Sequence, residues 1–208
     1  QRIRIGCTPE GNITSIGHES WSGDLVGGEA EATVRSTRIV YAGANRMTAT
    51  RLAILDLAES NAMRAPGDAP GSMALEIAID EMADKLRIDP IEFRILNDSK
   101  VDPEQPDRTF AQRHLVECLR DGADRFCWST RSAQPGKRRE GEWLLGMGVA
   151  AAYRDNPVMK SAARVRLDAQ GIVTVETDMT DIGTGSYTII AQTAAEMMGV
   201  AIDKVVVQ

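Results

Sequence analysis

The residue with the clearest chemical potential is Arg64, which stands in a loop rich in proline and glycine. The stretch Ala62–Gly71 contains two prolines and two glycines. Proline presets φ and lacks an N–H group, and glycine permits positive φ, so this stretch is expected to keep a fixed shape without regular structure. A guanidinium in such a loop can orient a carbonyl or carboxylate oxygen, or stabilise developing negative charge. A turn that carries a surface arginine or a structural ion pair explains the same residues.

A second glycine segment, Asp181–Thr188, lies where a predicted strand meets a predicted helix. Helix N-termini expose N–H groups and a partial positive charge, and glycines let a phosphate approach the main chain. Ser186 and Thr188 add hydroxyl groups. The lysine of a P-loop is absent, as is the third glycine of GxGxxG. The segment is therefore either an anion site or a tight turn with Ser186 as the N-cap.

Composition and charge exclude several classes of protein. The chain has 208 residues, of which 43% are hydrophobic and 26% charged, as in a folded globular protein rather than a disordered one. A net charge of −6, spread along the chain, argues against nucleic acid as the main partner. No run of 18 apolar residues occurs, so no membrane span is expected.

The cysteines and histidines predict no metal site. Cys7, Cys118 and Cys127 form no CxxC motif, and their odd count favours reduced, mostly buried thiols. His18 and His114 are far apart and lack the spacing of zinc ligands. His18 lies in a strand pattern and is expected to be a structural histidine with its hydrogen bonds satisfied.

The surrounding patterns predict an α+β fold with mixed sheets and helices packed on them. The strand patterns, several of them paired as hairpins, cover residues 2–8 with 12–22, 37–42 with 47–57, 143–153, 161–168 with 172–179, and 202–207. The helix patterns cover residues 72–86, 90–97, 111–125 and 187–198, with Asp89 as one N-cap and Gly199 after the last helix. The chain lacks an initiator methionine and stops within a predicted strand, so we expect it to be an internal fragment of a longer protein.

Three stretches together resemble a known family. Met63–Gly67, followed by Glu76 with Asp80–Ala83 and by Asp89–Asn97, resembles the molybdenum-cofactor-binding (large) subunit of the xanthine dehydrogenase/aldehyde oxidase family, in particular its periplasmic aldehyde oxidoreductase type. Asp181–Gly185, with Gln192 and Ala195-Glu196, is similar to the family's second cofactor motif. Gly146-Met147-Gly148 with Tyr153-Arg154 resembles a further cofactor-adjacent strand more loosely. The order and separation of the motifs agree over nearly the whole chain.

The resemblance implies roles for individual residues. Arg64 would be catalytic, positioning or polarising the substrate carbonyl. Met63, Ala65 and Gly67 would line the molybdenum centre. The residues that would hold the pyranopterin or its phosphate are Gly183, Thr184, Gly185, Ser186 and Thr188. Many members read Gly-Gln-Gly at 183–185, and threonine is too short to replace the glutamine contact to the metal's ligands. The pterin dithiolene holds the metal in this family, so no protein ligand is expected.

The resemblance also implies cofactors and partners. The cofactor would be molybdopterin with molybdenum, in the cytosine dinucleotide form usual in bacterial members. The substrate would be a small aldehyde or N-heterocycle, which is hydroxylated with oxygen from water. Its electrons would pass to [2Fe-2S] and FAD groups on partner subunits. The family's catalytic glutamate has no match here, so the fragment alone is expected to be inactive. Targeting in this family can reside on a partner, which leaves the cytoplasm and the periplasm both open.

Residues 1–142 are expected to form the first part of the molybdopterin-binding region, with hairpins, the Arg64 loop and three helices. Residues 143–208 would begin a second subdomain with strands, the Gly183 loop and a helix. Two other functions stay open on the residues alone. One is a phosphate- or nucleotide-binding module without redox chemistry, and the other is a structural or interaction domain.

Overall fold

The computed structural model describes residues 1–153 and 159–208, which form the expected α+β fold. Arg154, quoted above with Tyr153, lies outside the described residues. The chain divides into two units, residues 1–154 and 155–208, and each is described by itself. The division of the cofactor-binding region at residues 142 and 143 stays a prediction.

The first unit contains seven strands and four helices among its described residues. In chain order they are β1 Arg2–Cys7, β2 Ile13–Asp24, α1 Arg35–Ile39, β3 Asn45–Ile54, α2 Asp68–Leu86, α3 Pro90–Leu96, β4 Val101–Asp102, β5 Gln105–Thr109, α4 Leu115–Arg125, β6 Arg138–Glu140 and β7 Trp143–Leu145. The main sheet has the order β1-β2-β3. β1 and β2 form the predicted antiparallel hairpin, in which Ile3 lies opposite His18.

The hairpin predicted for residues 37–42 and 47–57 is wrong. The β-branched run read as its first strand forms α1 instead, and β3 pairs with β2 in parallel, with Ser15 opposite Asn45. Parallel neighbours need a crossover connection, and α1 lies in that connection. Burial of Thr37 in this helix outweighs the preference of β-branched residues for strands.

Helix α2 supplies the centre of the core. Leu75, Ile79 and Ala83 recur at four-residue spacing and are at most 1% exposed. They pack in one cluster with the buried Tyr41 and Phe93. The helix begins at Asp68, four residues earlier than its apolar pattern indicates, because Pro70 is tolerated in a first turn whose N–H groups lack intrahelical partners.

Helix α3 begins as predicted. The Asp89 side chain accepts hydrogen bonds from the N–H groups of Ile91 at 2.8 Å and Glu92 at 3.4 Å, and Pro90 occupies the first turn. The strand predicted over residues 143–153 is shorter, because only Trp143–Leu145 pairs with a neighbouring strand. Farther along the chain, the backbone of Val149 and Ala151 forms hydrogen bonds with the side chains of Arg94 and Glu76 instead.

The second unit contains β8 Arg164–Leu167, β9 Val173–Glu176, α5 Ser186–Met198 and β10 Val205–Val207. The predicted hairpin of β8 and β9 is confirmed, and β10 adds in parallel to β9. Helix α5 ends at Gly199, which has the expected left-handed conformation with φ 67°. Its N-cap is Gly185, not Ser186.

His18 is fully buried, and its Nδ1 lies 2.7 Å from the Thr37 hydroxyl, so it is the structural histidine expected. The cysteines are free, but Cys118 and Cys127 are exposed, which contradicts the expectation of mostly buried thiols. Within the described residues, no helix has the length and apolar character needed to cross a membrane.

Candidate functional site

The Arg64 loop, residues 55–67, joins β3 to α2 without regular structure apart from turns and bends. Met63, Arg64 and Ala65 are all exposed. The Arg64 side chain makes no hydrogen bond or ion pair with a residue in the described part of the chain. Its guanidinium is therefore available to a group from outside these residues, whereas the alternative of a structural ion pair finds no partner here.

The backbone of this loop is strained at Arg64 and Ala65. Arg64 has φ 24°, Ala65 has φ 51° and Gly67 has φ 74°. Residues other than glycine rarely adopt positive φ, and such conformations cost of order 1–3 kcal/mol each. The loop thus holds Arg64 in a conformation that local preference alone does not select.

Glycine is required where the loop enters α2. A Cβ added at Gly67 would lie 2.7 Å from the carbonyl carbon and oxygen of Ala32, and one at Gly71 would lie 1.8 Å from the carbonyl oxygen of Thr33. The first helical hydrogen bonds follow at once, since the N–H of Ala69 donates to the Ala65 carbonyl at 3.0 Å. The start of the helix and the end of the loop therefore lie directly on the backbone of residues 32–33.

A buried charged network fixes the helix that carries the loop. The Arg94 side chain is fully buried, and its Nε donates to Glu76 Oε2 at 2.9 Å while its Nη1 donates to Asp80 Oδ1 at 2.7 Å. The Tyr41 hydroxyl donates to Glu76 Oε1 at 2.7 Å. Burial, together with the nearby Glu76 carboxylate, raises the pKa of Tyr41 well above its usual range, so the phenol stays protonated.

The same network holds the segment 146–151, which follows β7. The Val149 carbonyl accepts from Arg94 Nη2 at 3.0 Å, and the N–H of Ala151 donates to Glu76 Oε2 at 2.7 Å. These two bonds replace the ladder of a paired strand and explain why the predicted strand ends at Leu145. Glu76 and Arg94, which lie in the stretches that carry the family resemblance, are thus buried groups that hold the fold together.

No atom of the described residues lies within 4 Å of a Cβ added at Gly146 or Gly148, and neither glycine has a positive φ. No contact with a described residue therefore requires glycine at these positions. Because glycine has no Cβ, Gly146 and Gly148 leave room for a group from outside the described residues to approach the backbone closely.

The second glycine segment belongs to the second unit, and its N–H groups are not free. Asp181 Oδ1 accepts from the N–H groups of Gly183 at 2.8 Å, Thr184 at 2.9 Å and Gly185 at 3.2 Å, and Oδ2 accepts from Tyr187 at 3.3 Å. These hydrogen bonds, the one from Gly183 foremost, lower the pKa of Asp181. Sequence reasoning missed this contact, although an aspartate two residues before a glycine is a common signal for an Asx-turn.

What remains available in this segment lies at the first turn of α5. Thr184 Oγ1 and Ser186 Oγ are 2.8 Å apart. The N–H groups of Ser186 and Thr188 have no acceptor among the described residues. Gly183 and Gly185 adopt φ 96° and 78°, and an added Cβ would meet nothing at either, so the conformation itself and not crowding requires glycine.

The predicted site residues therefore form two groups in two different units. Met63, Arg64, Ala65 and Gly67 lie in the first unit, and the residues of 183–188 lie in the second. Their roles toward a cofactor stay predictions.

Two sequence profiles of molybdopterin cofactor-binding domains match the chain, one over residues 1–98 and the other over residues 121–208. The chain is 64% identical over 207 residues to the aldehyde oxidoreductase molybdenum-binding subunit PaoC of Escherichia coli K12, covering 100% of this chain and 28% of the relative. It is 32% identical over 157 residues to a xanthine dehydrogenase molybdenum-binding subunit of Escherichia coli O157:H7, covering 72% of this chain and 21% of the relative.

The fold agrees with solved structures of related enzymes. Quinoline 2-oxidoreductase from Pseudomonas putida 86 superposes with a TM-score of 0.70 at 21% identity, covering 98% of this chain and 29% of that one. The present chain thus spans less than a third of the length of the proteins it matches. These matches confirm the resemblance drawn from the Arg64 and Gly183 motifs: the chain belongs to the molybdenum-cofactor-binding (large) subunits of the xanthine dehydrogenase/aldehyde oxidase family.

Proposed function

We propose that the complete subunit carrying this chain takes part in the oxidation of aldehydes, with Arg64 as the residue of this chain that contacts the substrate. The observation that carries the proposal is the Arg64 loop, which presents from a strained backbone an exposed guanidinium that has no partner among the described residues. The substrate class rests on the printed name of the relative that is 64% identical to the whole chain. N-heterocycles are a second substrate class, because the family includes relatives named for them.

Arg64 would act by positioning. A guanidinium presents several N–H donors in a planar fork, which can hold a carbonyl oxygen and stabilise the negative charge that it gains during the reaction. Met63, Ala65 and Gly67 would form the wall beside the metal. Bound there, the molybdenum cofactor supplies the two-electron redox chemistry, with water as the source of oxygen.

The residues of the second unit fit a phosphate-bearing group. The hydroxyls of Thr184, Ser186 and Thr188, with the N–H groups of Ser186 and Thr188 that no described residue accepts from, offer donors at the positive end of a helix of 13 residues. Because Asp181 already occupies the N–H groups of residues 183–185, an anion would use the first turn of α5 or displace this carboxylate. We further propose the cytosine dinucleotide form of the cofactor, in which the pyrophosphate would offer this turn one phosphate more than molybdopterin itself carries.

The name "molybdenum-binding subunit" borne by the relatives supports the presence of further subunits, which we propose carry the [2Fe-2S] and FAD groups. The test is to purify the complete subunit together with any proteins that co-purify, and to measure molybdenum, pterin, iron and flavin. Molybdenum with pterin supports the proposal. A bound phosphate ligand without metal would support a phosphate- or nucleotide-binding module, and neither would support a structural domain.

Aldehyde turnover is then compared between Arg64→Ala and Arg120→Ala. Arg120 is an exposed arginine on α4, so its loss should leave kcat/KM unchanged. Loss of a donor to a developing negative charge typically costs about 100-fold or more in rate, which is the decrease expected for Arg64→Ala. Equal effects of the two substitutions would contradict the role of Arg64.

A further inference from the structure

The Arg64 loop is held on both sides of Arg64 by a single stretch of chain, residues 23–33, which we call the anchoring segment. Before Arg64, the N–H of Ser60 donates to Asp24 Oδ1 at 2.9 Å, and the Ser60 hydroxyl donates to the Gly23 carbonyl at 3.1 Å. Asp24 is only 4% exposed. Its position is further set by the N–H of Leu25, which donates to the same oxygen at 2.8 Å.

At the end of the loop, the anchor is Glu31. Its Oε1 accepts a hydrogen bond from the N–H of Gly67 at 2.7 Å, across 36 residues of chain. Gly67 is the N-cap of α2 and has no side chain of its own with which to cap the helix. A carboxylate at this place satisfies a free N–H group and faces the positive end of the helix, which are the two functions of an N-cap residue.

The anchoring segment is itself held in place. The backbone N–H of Glu31 donates to the Ser22 hydroxyl at 3.1 Å, and the Thr33 N–H donates to the Glu31 carbonyl at 2.8 Å. The close approach of Gly67 and Gly71 to residues 32–33 leaves little freedom for this segment to slide.

Between the two anchors the loop has few contacts of its own. Residues 61–66 are all exposed. Among the described residues, the hydrogen bonds nearest to Arg64 run from the N–H of Ala69 to the Ala65 carbonyl at 3.0 Å and from the N–H of Ala62 to Asn61 Oδ1 at 2.9 Å. Arg64 lies four residues after one anchor and three residues before the other. Its left-handed backbone, shared with Ala65, persists only if the ends of the loop determine the path between them.

We propose that Glu31 is a positioning residue: by capping α2 at Gly67 it holds Arg64 at the place where the guanidinium meets the oxygen of the substrate. This inference rests on the proposed function of Arg64. The anchoring segment would thus have a function, although its charged, irregular sequence shows no pattern typical of a site.

The test uses the complete subunit in four forms: unmodified, Glu31→Ala, Glu31→Gln and Glu29→Ala. Glutamine keeps an acceptor oxygen for the N–H of Gly67, so Glu31→Gln should retain most of the activity. Glu29 is exposed two residues away and serves as the matched control. Displacement of a catalytic group by about 1 Å can cost roughly 100-fold, so we expect Glu31→Ala to lower kcat/KM for an aldehyde by about 10- to 100-fold.

Two measurements separate positioning from a general loss of structure. In a double-variant cycle, Glu31→Ala added to Arg64→Ala should lower kcat/KM no further than Arg64→Ala does, because Glu31 acts through Arg64. Trypsin should cleave after Arg64 faster in Glu31→Ala than in the unmodified protein, and at the unmodified rate in Glu31→Gln. Molybdenum and pterin content should stay unchanged in all forms.

Additive losses in the double variant, or cleavage after Arg64 that Glu31→Ala does not accelerate, would overturn the inference. Failure of the proposed function gives a different result. If the unmodified subunit contained no molybdenum cofactor or oxidised no aldehyde, the proteolysis would still report whether Glu31 holds the loop.

Discussion

The close approach of α2 to the anchoring segment makes a quantitative prediction for Gly71→Ala. Gly71 is buried in the first turns of α2, and an added Cβ would lie 1.8 Å from the Thr33 carbonyl oxygen and 2.7 Å from its carbonyl carbon. Carbon and oxygen atoms that are not bonded rarely come within about 3.3 Å, so the two backbones would have to separate by roughly 1.5 Å. Neither partner is a flexible side chain that could turn aside.

Two opposing terms set the magnitude. Alanine favours a helix over glycine by up to about 1 kcal/mol. Overpacking typically costs about 1–3 kcal/mol, and a clash between two backbones belongs at or beyond the upper end of that range. The net destabilisation of Gly71→Ala is therefore expected to be about 2 kcal/mol or more. For a cooperative folding unit of about 150–250 residues, 2 kcal/mol corresponds to a decrease in the unfolding midpoint of about 4–8 °C.

The chain supplies a matched control in Gly122→Ala. Gly122 lies within α4, and an added Cβ there meets no atom of the described part of the chain within 4 Å. Only the helix propensity then acts, so this substitution should raise stability by a few tenths to about 1 kcal/mol. Thermal or urea unfolding of both variants tests whether the two substitutions change the free energy of unfolding in opposite directions. Similar shifts for Gly71→Ala and Gly122→Ala would refute the close approach of α2 to Thr33.

Three further predictions follow from the buried and capping groups. Arg94→Met should destabilise the protein by about 3–5 kcal/mol, because it leaves the Glu76 carboxylate buried without its cation, and adding Glu76→Gln should recover part of that loss in urea unfolding. Burial lowers the pKa of His18, so folding favours the neutral imidazole. The stability that depends on this neutral form is complete above the ordinary histidine pKa of about 6.5 and should be lost as the pH falls below that value. Thermal unfolding between pH 8 and pH 5 measures this loss, and His18→Gln should reduce the pH dependence of the unfolding midpoint. Hydrogen bonds from the N–H groups of residues 183–185 and 187 lower the pKa of Asp181. The turn at 181–187 should therefore stay ordered above the ordinary aspartate pKa and lose this order as the pH falls below that value. Asp181→Ala should accelerate hydrogen exchange at residues 183–185 at neutral pH, whereas unchanged exchange would contradict the contact with Asp181.

The sequence predicted those elements whose signal is local. Asp89 with Pro90 marks the start of α3, and Gly199 marks the end of α5, because capping chemistry depends on residues within a turn of the helix end. The β8–β9 hairpin was equally predictable from its alternation and its turn. The Arg64 and Gly183 motifs identified the family because their residue types and order are specific in combination.

The features that sequence reasoning missed depend on contacts between distant residues. α1 occupies a β-branched run because it lies in the crossover between two parallel strands, which no local pattern reveals. Arg94 bonds to the backbone of Val149 across 55 residues, and Glu31 to that of Gly67 across 36, so neither contact leaves a periodic signal. Asp181 is a different case, since its turn signal was present but the positive end of the helix suggested an external anion instead.

Metal and pterin analysis of the complete subunit decides whether this chain forms part of a molybdopterin pocket. We expect molybdenum and pterin in about equal amounts, approaching one of each per subunit, with both retained in Arg64→Ala. A subunit that is folded and expressed under molybdenum-replete conditions, yet contains neither molybdenum nor pterin, would contradict it.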